Sequence, residues 1–420
     1  MSSAPRQQLR QRKTAGATSS PEDPKSGEND RTAPPESPGE PHQRPPPKWS
    51  EALPASAVMG LAFGIAFQKS HVYEPSIIRG QFLFRRFVML KLFFGAMGTG
   101  ALIFAAMAST PQFLGVRRLW EPTATSRGWL TGPAVGGLML GAGMAVSGAC
   151  PGMIVIALGA GTPNSAFTIL GGIIGALVFG VSFETIQRSF LSKGPKGPTA
   201  VYMDRAIGVS YRKLALSLVF FCLLGCVVLE KLVPWVDEVP SRLNDAISTP
   251  KCAFGTSTFS FVECPAWPPS LAGVLVGLLQ FPALLFIENI LGSSTAYQVF
   301  ASTCTPKLYQ NSYVRAFAEP NIKAWWQIIF LTFAFYEAYI CAKDSNDLEG
   351  ATGVTPLAGL IGGFLMIFGS RLGGGCTSGH GLSGCAIFMV QSWIAVPAMF
   401  VGGIIISVMW QSAMGDFFQP

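Results

Sequence analysis

The chain has 420 residues, a mean hydropathy of +0.40, and 13% charged residues against 49% hydrophobic ones. A soluble domain carries about 25% charged residues, so this composition excludes an ordinary soluble enzyme and points to an all-α, polytopic helical membrane protein. The net charge of +7 is what basic cytoplasmic loops supply and gives no reason to invoke nucleic acid as a partner.

Residues 1–48 contain eight Lys/Arg and six Asp/Glu with almost no large apolar side chains. Such a stretch cannot bury a core, so a disordered tail is expected. Its acidic residues and the lack of an early apolar region also argue against a targeting peptide. Nine apolar runs then reach or approach the roughly 20 residues that cross a bilayer: Leu53–Gln68, Phe82–Ala108, Leu130–Ser147, Ala166–Phe183, Leu214–Val233, Leu271–Ile290, Trp325–Cys341, Pro356–Ser370 and Ser392–Trp410. Four less regular pieces, 70–80, 148–161, 291–305 and 371–391, interrupt them as expected re-entrant segments.

Loop charges orient the spans. Segments 109–129, 185–213 and 305–323 are basic, whereas 235–268 and 342–353 are acidic. With nine spans and the N-terminal tail cytoplasmic, every basic loop falls inside and both acidic loops fall outside, as expected in the plasma membrane. Arg85, Arg86 and Lys91 open the second span and read as either a vestibule lining or an amphipathic helix start. Cys252 and Cys264 share the acidic loop, where they are either a disulfide or two free thiols.

The two halves resemble each other. "GLAFG" at Gly60 matches "GVLVG" at Gly273, and "GGII" at Gly171 recurs at Gly402. Between them, Gly136, Gly137, Gly143, Gly148 and Cys150 stand 226 positions before Gly362, Gly363, Gly369, Gly374 and Cys376. Residues 53–184 and 271–412 thus form two four-span repeats. The segment 185–270 supplies a basic loop, one linking span and an acidic loop. An odd linker inverts the second repeat, and inverted repeats place a transporter's site where broken helices meet at the midplane.

The richest stretch is "GSRLGGGCTSGHGLSGCA", Gly369–Ala386. Three consecutive glycines, each costing about 1 kcal/mol in a helix, stop the preceding apolar helix. Irregular backbone at membrane depth is tolerated where protein buries it or water reaches it. Cys376 is therefore expected to face Cys150 of "SGACPG" across a pseudo-two-fold axis, with Pro151 opening a short helix. Gly148, Gly374 and Gly375 allow the turns, and Thr377, Ser378, Ser293 and Ser294 offer hydroxyl donors. Arg371 attracts an anion or caps helix carbonyls, and His380 either donates to an anion or positions the loop. No zinc-type spacing and no nucleotide-binding motif is present, so neither a metal nor another cofactor is expected.

"GSRLGGGCTSGHGLSG", "SGACPG" and "LGSSTA" (Leu291–Ala296) resemble the YeeE/YedE sulfur-transport family of integral membrane proteins, and the resemblance covers roughly 53–412. It implies a non-enzymatic protein of inverted repeats that carries thiosulfate, with thiols on the pathway donating S–H hydrogen bonds. By motif those thiols are Cys150 and Cys376. A polar vestibule is expected to lead to them, and a cytosolic sulfur-accepting protein is a possible partner. Bacterial members commonly have another cysteine after the first span, whereas "KSHVYEPSIIRGQ" (Lys69–Gln81) has none and carries Glu74 and Arg79. The alternative function is a membrane sulfur-carrier or redox enzyme that forms a persulfide on Cys376.

Overall fold

The computed structural model describes residues 47–126, 128–191, 201–249, 252, 260, 263–305, 311–348 and 350–414. The expected disordered tail lies outside these residues apart from Pro47 and Lys48, as do parts of the loops used in the charge count (192–200, 306–310 and most of 250–262). The first helices are α1 (Trp49–Lys69), α2 (Pro75–Phe82), α3 (Val88–Ala106), α4 (Pro111–Ser126), α5 (Thr131–Ser147), α6 (Met153–Gly159) and α7 (Ser165–Ile186). The linking region holds α8 (Met203–Ile207), α9 (Tyr211–Leu232), α10 (Trp235–Glu238) and α11 (Asn244–Ile247). The rest comprises α12 (Pro269–Leu278), α13 (Gln280–Pro282), α14 (Ser294–Thr303), α15 (Ser312–Ala318), α16 (Ile322–Asp344), α17 (Pro356–Gly373) and α18 (Val390–Met414).

The chain is a polytopic helical membrane protein. Among the described residues, seven helical segments are long and apolar enough to cross a bilayer: Trp49–Lys69, Val88–Ala106, Ser165–Leu191, Tyr211–Leu232, Pro269–Ile287, Pro356–Gly373 and Val390–Ser412. The other two expected spans are also helical. Helix α5 has 17 residues, slightly under a full crossing at 1.5 Å per residue. Helix α16 has 23 residues, but Lys323, Glu337, Lys343 and Asp344 dilute its apolar character. Two expected boundaries shift. The second span begins at Val88 rather than Phe82, because the chain turns sharply at Phe84 (φ +55°) after α2. The basic segment 109–129 contains the helix α4 rather than a loop.

Glycine sets how the helices meet. Helix α5 packs against α17 and α18, and α7 also packs against α17. A Cβ on Gly141 of α5 would stand 1.8 Å from the Met399 carbonyl oxygen of α18, so only a hydrogen fits there. Helix α1 packs against α16, and α3 against both α12 and α9. Small residues permit such backbone approach where lipid supplies no hydrophobic drive between helices.

Charged residues tie each end of the bundle. At one end Arg242 reaches Glu74 (2.6 Å) and Asp347 (2.6 Å), whose carboxylates are buried. Burial works against the charge on Arg242, but its hydrogen bonds to Asp347 and Glu74 outweigh that and push its pKa above the ordinary guanidinium value. Cys252 and Cys264 are joined as a disulfide, and Lys69 Nζ donates to the Cys264 carbonyl at 2.9 Å. At the other end of α9, Tyr211 Oη donates to the Ala386 carbonyl at 2.9 Å. Tyr202 there bridges to Met389, and the Arg117 guanidinium lies 3.9 Å over the Tyr202 ring while bonding Asp204 at 3.0 Å. Arg117 is thus neutralised, although it counts as a free loop charge in the sequence.

Of the three cations that open the second span, Lys91 is neither vestibule lining nor exposed. Its ammonium is fully buried and bonds Glu238 at 2.7 Å, Glu230 at 3.1 Å and the Val233 carbonyl.

Candidate functional site

Both broken helices end in the same way. Helix α5 stops at Gly148 (φ +63°), whose N–H bonds the Met144 carbonyl. Helix α17 stops at Gly374 (φ +88°), whose N–H bonds the Ser370 carbonyl. The left-handed conformation costs glycine nothing and turns the chain out of the helix. Pro151 and Gly152 then form a turn, and α6 begins only at Met153, two residues later than the sequence implies for Pro151. After α17, residues Thr377–Gly384 wind into a wide π-helical turn.

These turns each carry a buried, free thiol, Cys150 after the first and Cys376 after the second. Cys376 Sγ lies 3.1 Å from Ser378 Oγ and 3.5 Å from Ser293 Oγ, and it accepts from the Ser293 N–H at 3.5 Å. Cys150 shares the wall of a small space with Gly152, Met153, Thr377 and Ser378. Ser378 thus touches Cys376 and also lines the space beside Cys150. Tyr297 is buried and donates to the Pro151 carbonyl at 2.9 Å.

A cavity abuts each thiol. Next to Cys376 a chamber of about 350 Å³ is lined by Ser294, Thr295, Lys323, Arg371, Gly374 and Gly375 among others. Next to Cys150, Thr377 and Ser378 the space is about 20 Å³, room for roughly one water. Phe63, Phe67, Met89, Leu92, Phe93 and Leu382 surround it. The chamber on the Cys376 side has polar and charged side chains in its wall. The small space on the Cys150 side is walled mainly by apolar side chains.

The remaining sequence candidates separate by role. Arg371 is buried, lines the Cys376 chamber, and donates to Tyr313 Oη (2.7 Å) and Thr295 Oγ1 (3.2 Å). His380 lines neither cavity. Its Nδ1 pairs with Ser392 Oγ at 2.9 Å and its Nε2 with the Gly373 carbonyl at 3.3 Å, so it staples the break in α17. Gly148 packs its α-carbon against Pro75 of α2. In the stretch without a cysteine, Glu74 is held by Arg242, and Arg79 donates to the Ala145 and Val146 carbonyls (3.1 and 2.6 Å). Sequence reasoning missed Tyr297 and the phenylalanine cluster. Phe63 and Phe67 are spaced i, i+4 on an apolar helix, a pattern shared with Phe179/Phe183 and Phe364/Phe368, so no sequence signal separated them.

Apolar spans, paired helix breaks and a polar chamber within the bundle define the class: an integral membrane protein of the transporter kind. The chain belongs to the sulphur transport family, whose model matches residues 69–405. It is similar to the thiosulfate transporter TsuA of Spirochaeta thermophila, 25% identical over 341 residues that cover 80% of this chain and 93% of that protein. It is also similar to the thiosulfate transporter TsuA of Escherichia coli K12, 28% identical over 138 residues, which is 32% of this chain and 37% of that protein.

Proposed function

We propose that this protein moves a small sulfur-containing anion, thiosulfate, across the membrane past Cys150 and Cys376. The observation that carries the reading is that two thiols from motifs far apart in the chain each line a cavity, Cys376 the chamber and Cys150 the constriction, with Ser378 bonded to the first and lining the second. A neutral thiol is a weak donor, so it can greet a soft sulfur anion without holding it, and conduction requires release as much as binding. The names of the two relatives favour thiosulfate as the cargo. The apolar constriction beside Cys150 is the closed gate, and the chamber beside Cys376 is open.

We also infer that residues 53–184 and 271–412 are inverted repeats. Exchanging the halves maps the α1–α16 contact onto α12–α3 and the α7–α17 contact onto α18–α5, while α5–α17 maps onto itself. The glycine stops at Gly148 and Gly374 correspond in the same way. With the tail cytoplasmic and the protein in the plasma membrane, the Arg371 chamber opens to the cytoplasm.

Purified protein in liposomes is expected to take up labelled thiosulfate, and Cys376→Ala is expected to slow uptake about tenfold or more, equivalent to about 1.4 kcal/mol. Normal transport by Cys376→Ala would end the thiol-relay account. A stable persulfide on Cys376 without any flux would favour a sulfur-carrier enzyme instead.

A further inference from the structure

Arg371 is 7% exposed, yet no carboxylate pairs with it among the described residues. Its two terminal nitrogens donate to neutral hydroxyls, those of Tyr313 and Thr295. The Phe317 ring lies 4.9 Å from the guanidinium carbon. Nε is buried and has no hydrogen-bond partner. A guanidinium has five N–H donors and cannot shed its charge, and a buried charge left uncompensated is costly. Burial therefore calls for a counter-ion that the polypeptide around Arg371 does not supply.

The chamber that Arg371 lines offers the place for one. No Asp or Glu lines it among the described residues, whereas Lys323 does, along with the amides of Asn289, Asn321 and Gln327. On the same wall sits Cys376. The cavity thus has a hard, cationic part and a soft, thiol part.

We propose that this chamber is a binding station for a sulfur oxyanion, oriented with its oxygens on Arg371 and Lys323 and its sulfane sulfur on Cys376. The inference rests on the transport reading and deepens it. Arg371 supplies affinity for any small dianion, because a charge-assisted hydrogen bond does not distinguish one sulfur oxyanion from another. Cys376 supplies preference, because thiosulfate alone presents a terminal sulfur where sulfate presents a fourth oxygen. Held there, the anion neutralises Arg371, and because the chamber is open, water takes over the protein donors as the anion leaves.

The test compares equilibrium binding of labelled thiosulfate and labelled sulfate to purified, full-length protein, alongside liposome uptake of thiosulfate. Arg371→Gln is expected to weaken both anions about tenfold or more and leave their ratio unchanged. Lys323→Gln, at a half-buried residue of the chamber wall, is expected to weaken both by a smaller factor that shrinks with added salt. Cys376→Ala is expected to bring thiosulfate binding down towards that of sulfate. Arg371→Gln protein that elutes as a single species but binds both anions as tightly as wild type overturns the station. So does Cys376→Ala that retains the thiosulfate preference. If Arg371→Gln does not fold, Lys323→Gln and Cys376→Ala decide in the same terms. Wild-type protein that neither binds nor transports thiosulfate sinks the transport reading itself, whereas normal transport with chamber variants of normal affinity sinks only the station.

Discussion

Lys91 is the most exposed to a quantitative test, because its surroundings are closed. The three ammonium protons are all spent, on Glu238 Oε2 at 2.7 Å, Glu230 Oε2 at 3.1 Å and the Val233 carbonyl. Lys91→Met keeps the length of the side chain and removes the charge. Glu238, whose side chain is 2% exposed, is then a buried carboxylate with one remaining bond, to the Phe87 N–H. Breaking a buried ion pair from one side costs about 3–5 kcal/mol. Glu230 is 38% exposed, so water takes over its role and it adds little. The expected loss is therefore about 3–5 kcal/mol, nearly all of it from Glu238. Replacing both partners, Lys91→Met with Glu238→Gln, removes the stranded charge and is expected to recover most of that loss, since a buried pair exchanged whole is often close to neutral. The assay is reversible unfolding of the purified protein in mixed micelles for wild type, both single variants and the double variant. A Lys91→Met cost below about 1 kcal/mol, or a double variant as unstable as Lys91→Met alone, would refute the reasoning.

Three further outcomes are expected. Gly141→Val should abolish monodisperse protein on size-exclusion chromatography, because even its Cβ would meet the Met399 carbonyl at 1.8 Å and overpacking a backbone contact exceeds the usual 1–3 kcal/mol. Gly115→Ala, with nothing within 4 Å of the new atom, should be neutral or stabilise α4 by about 0.5–1 kcal/mol. A reductant should lower the unfolding midpoint of wild type by cutting the Cys252–Cys264 bond, which closes a 12-residue separation, at a cost of about 2–4 kcal/mol. The Cys252→Ser/Cys264→Ser protein should not respond to the reductant at all, and an unresponsive wild type would show that the bond does not hold this loop.

The primary sequence by itself determined the membrane class, because apolar runs of bilayer length have no other stable home than helices in lipid. It also determined where the two helices break: Gly148 and Gly374 are left-handed because no β-carbon opposes it, a property of the residue that needs no partner. The thiols were legible for the same reason, each standing beside its glycine in a motif. Charge was read less well. Arg117, Lys91 and Arg79 look alike as letters, yet Arg117 is cancelled by Asp204, Lys91 is sealed under Glu238, and Arg79 is spent on two carbonyls. Arg371 alone among these lines the chamber. What a cation does depends on which acid or carbonyl the fold carries to it, often more than 80 residues away in the chain. Only the tertiary structure decided that. It likewise decided the apolar cluster beside Cys150, since Phe63, Phe67 and Phe93 come together only where α1 and α3 pack on the turn between Cys150 and Met153.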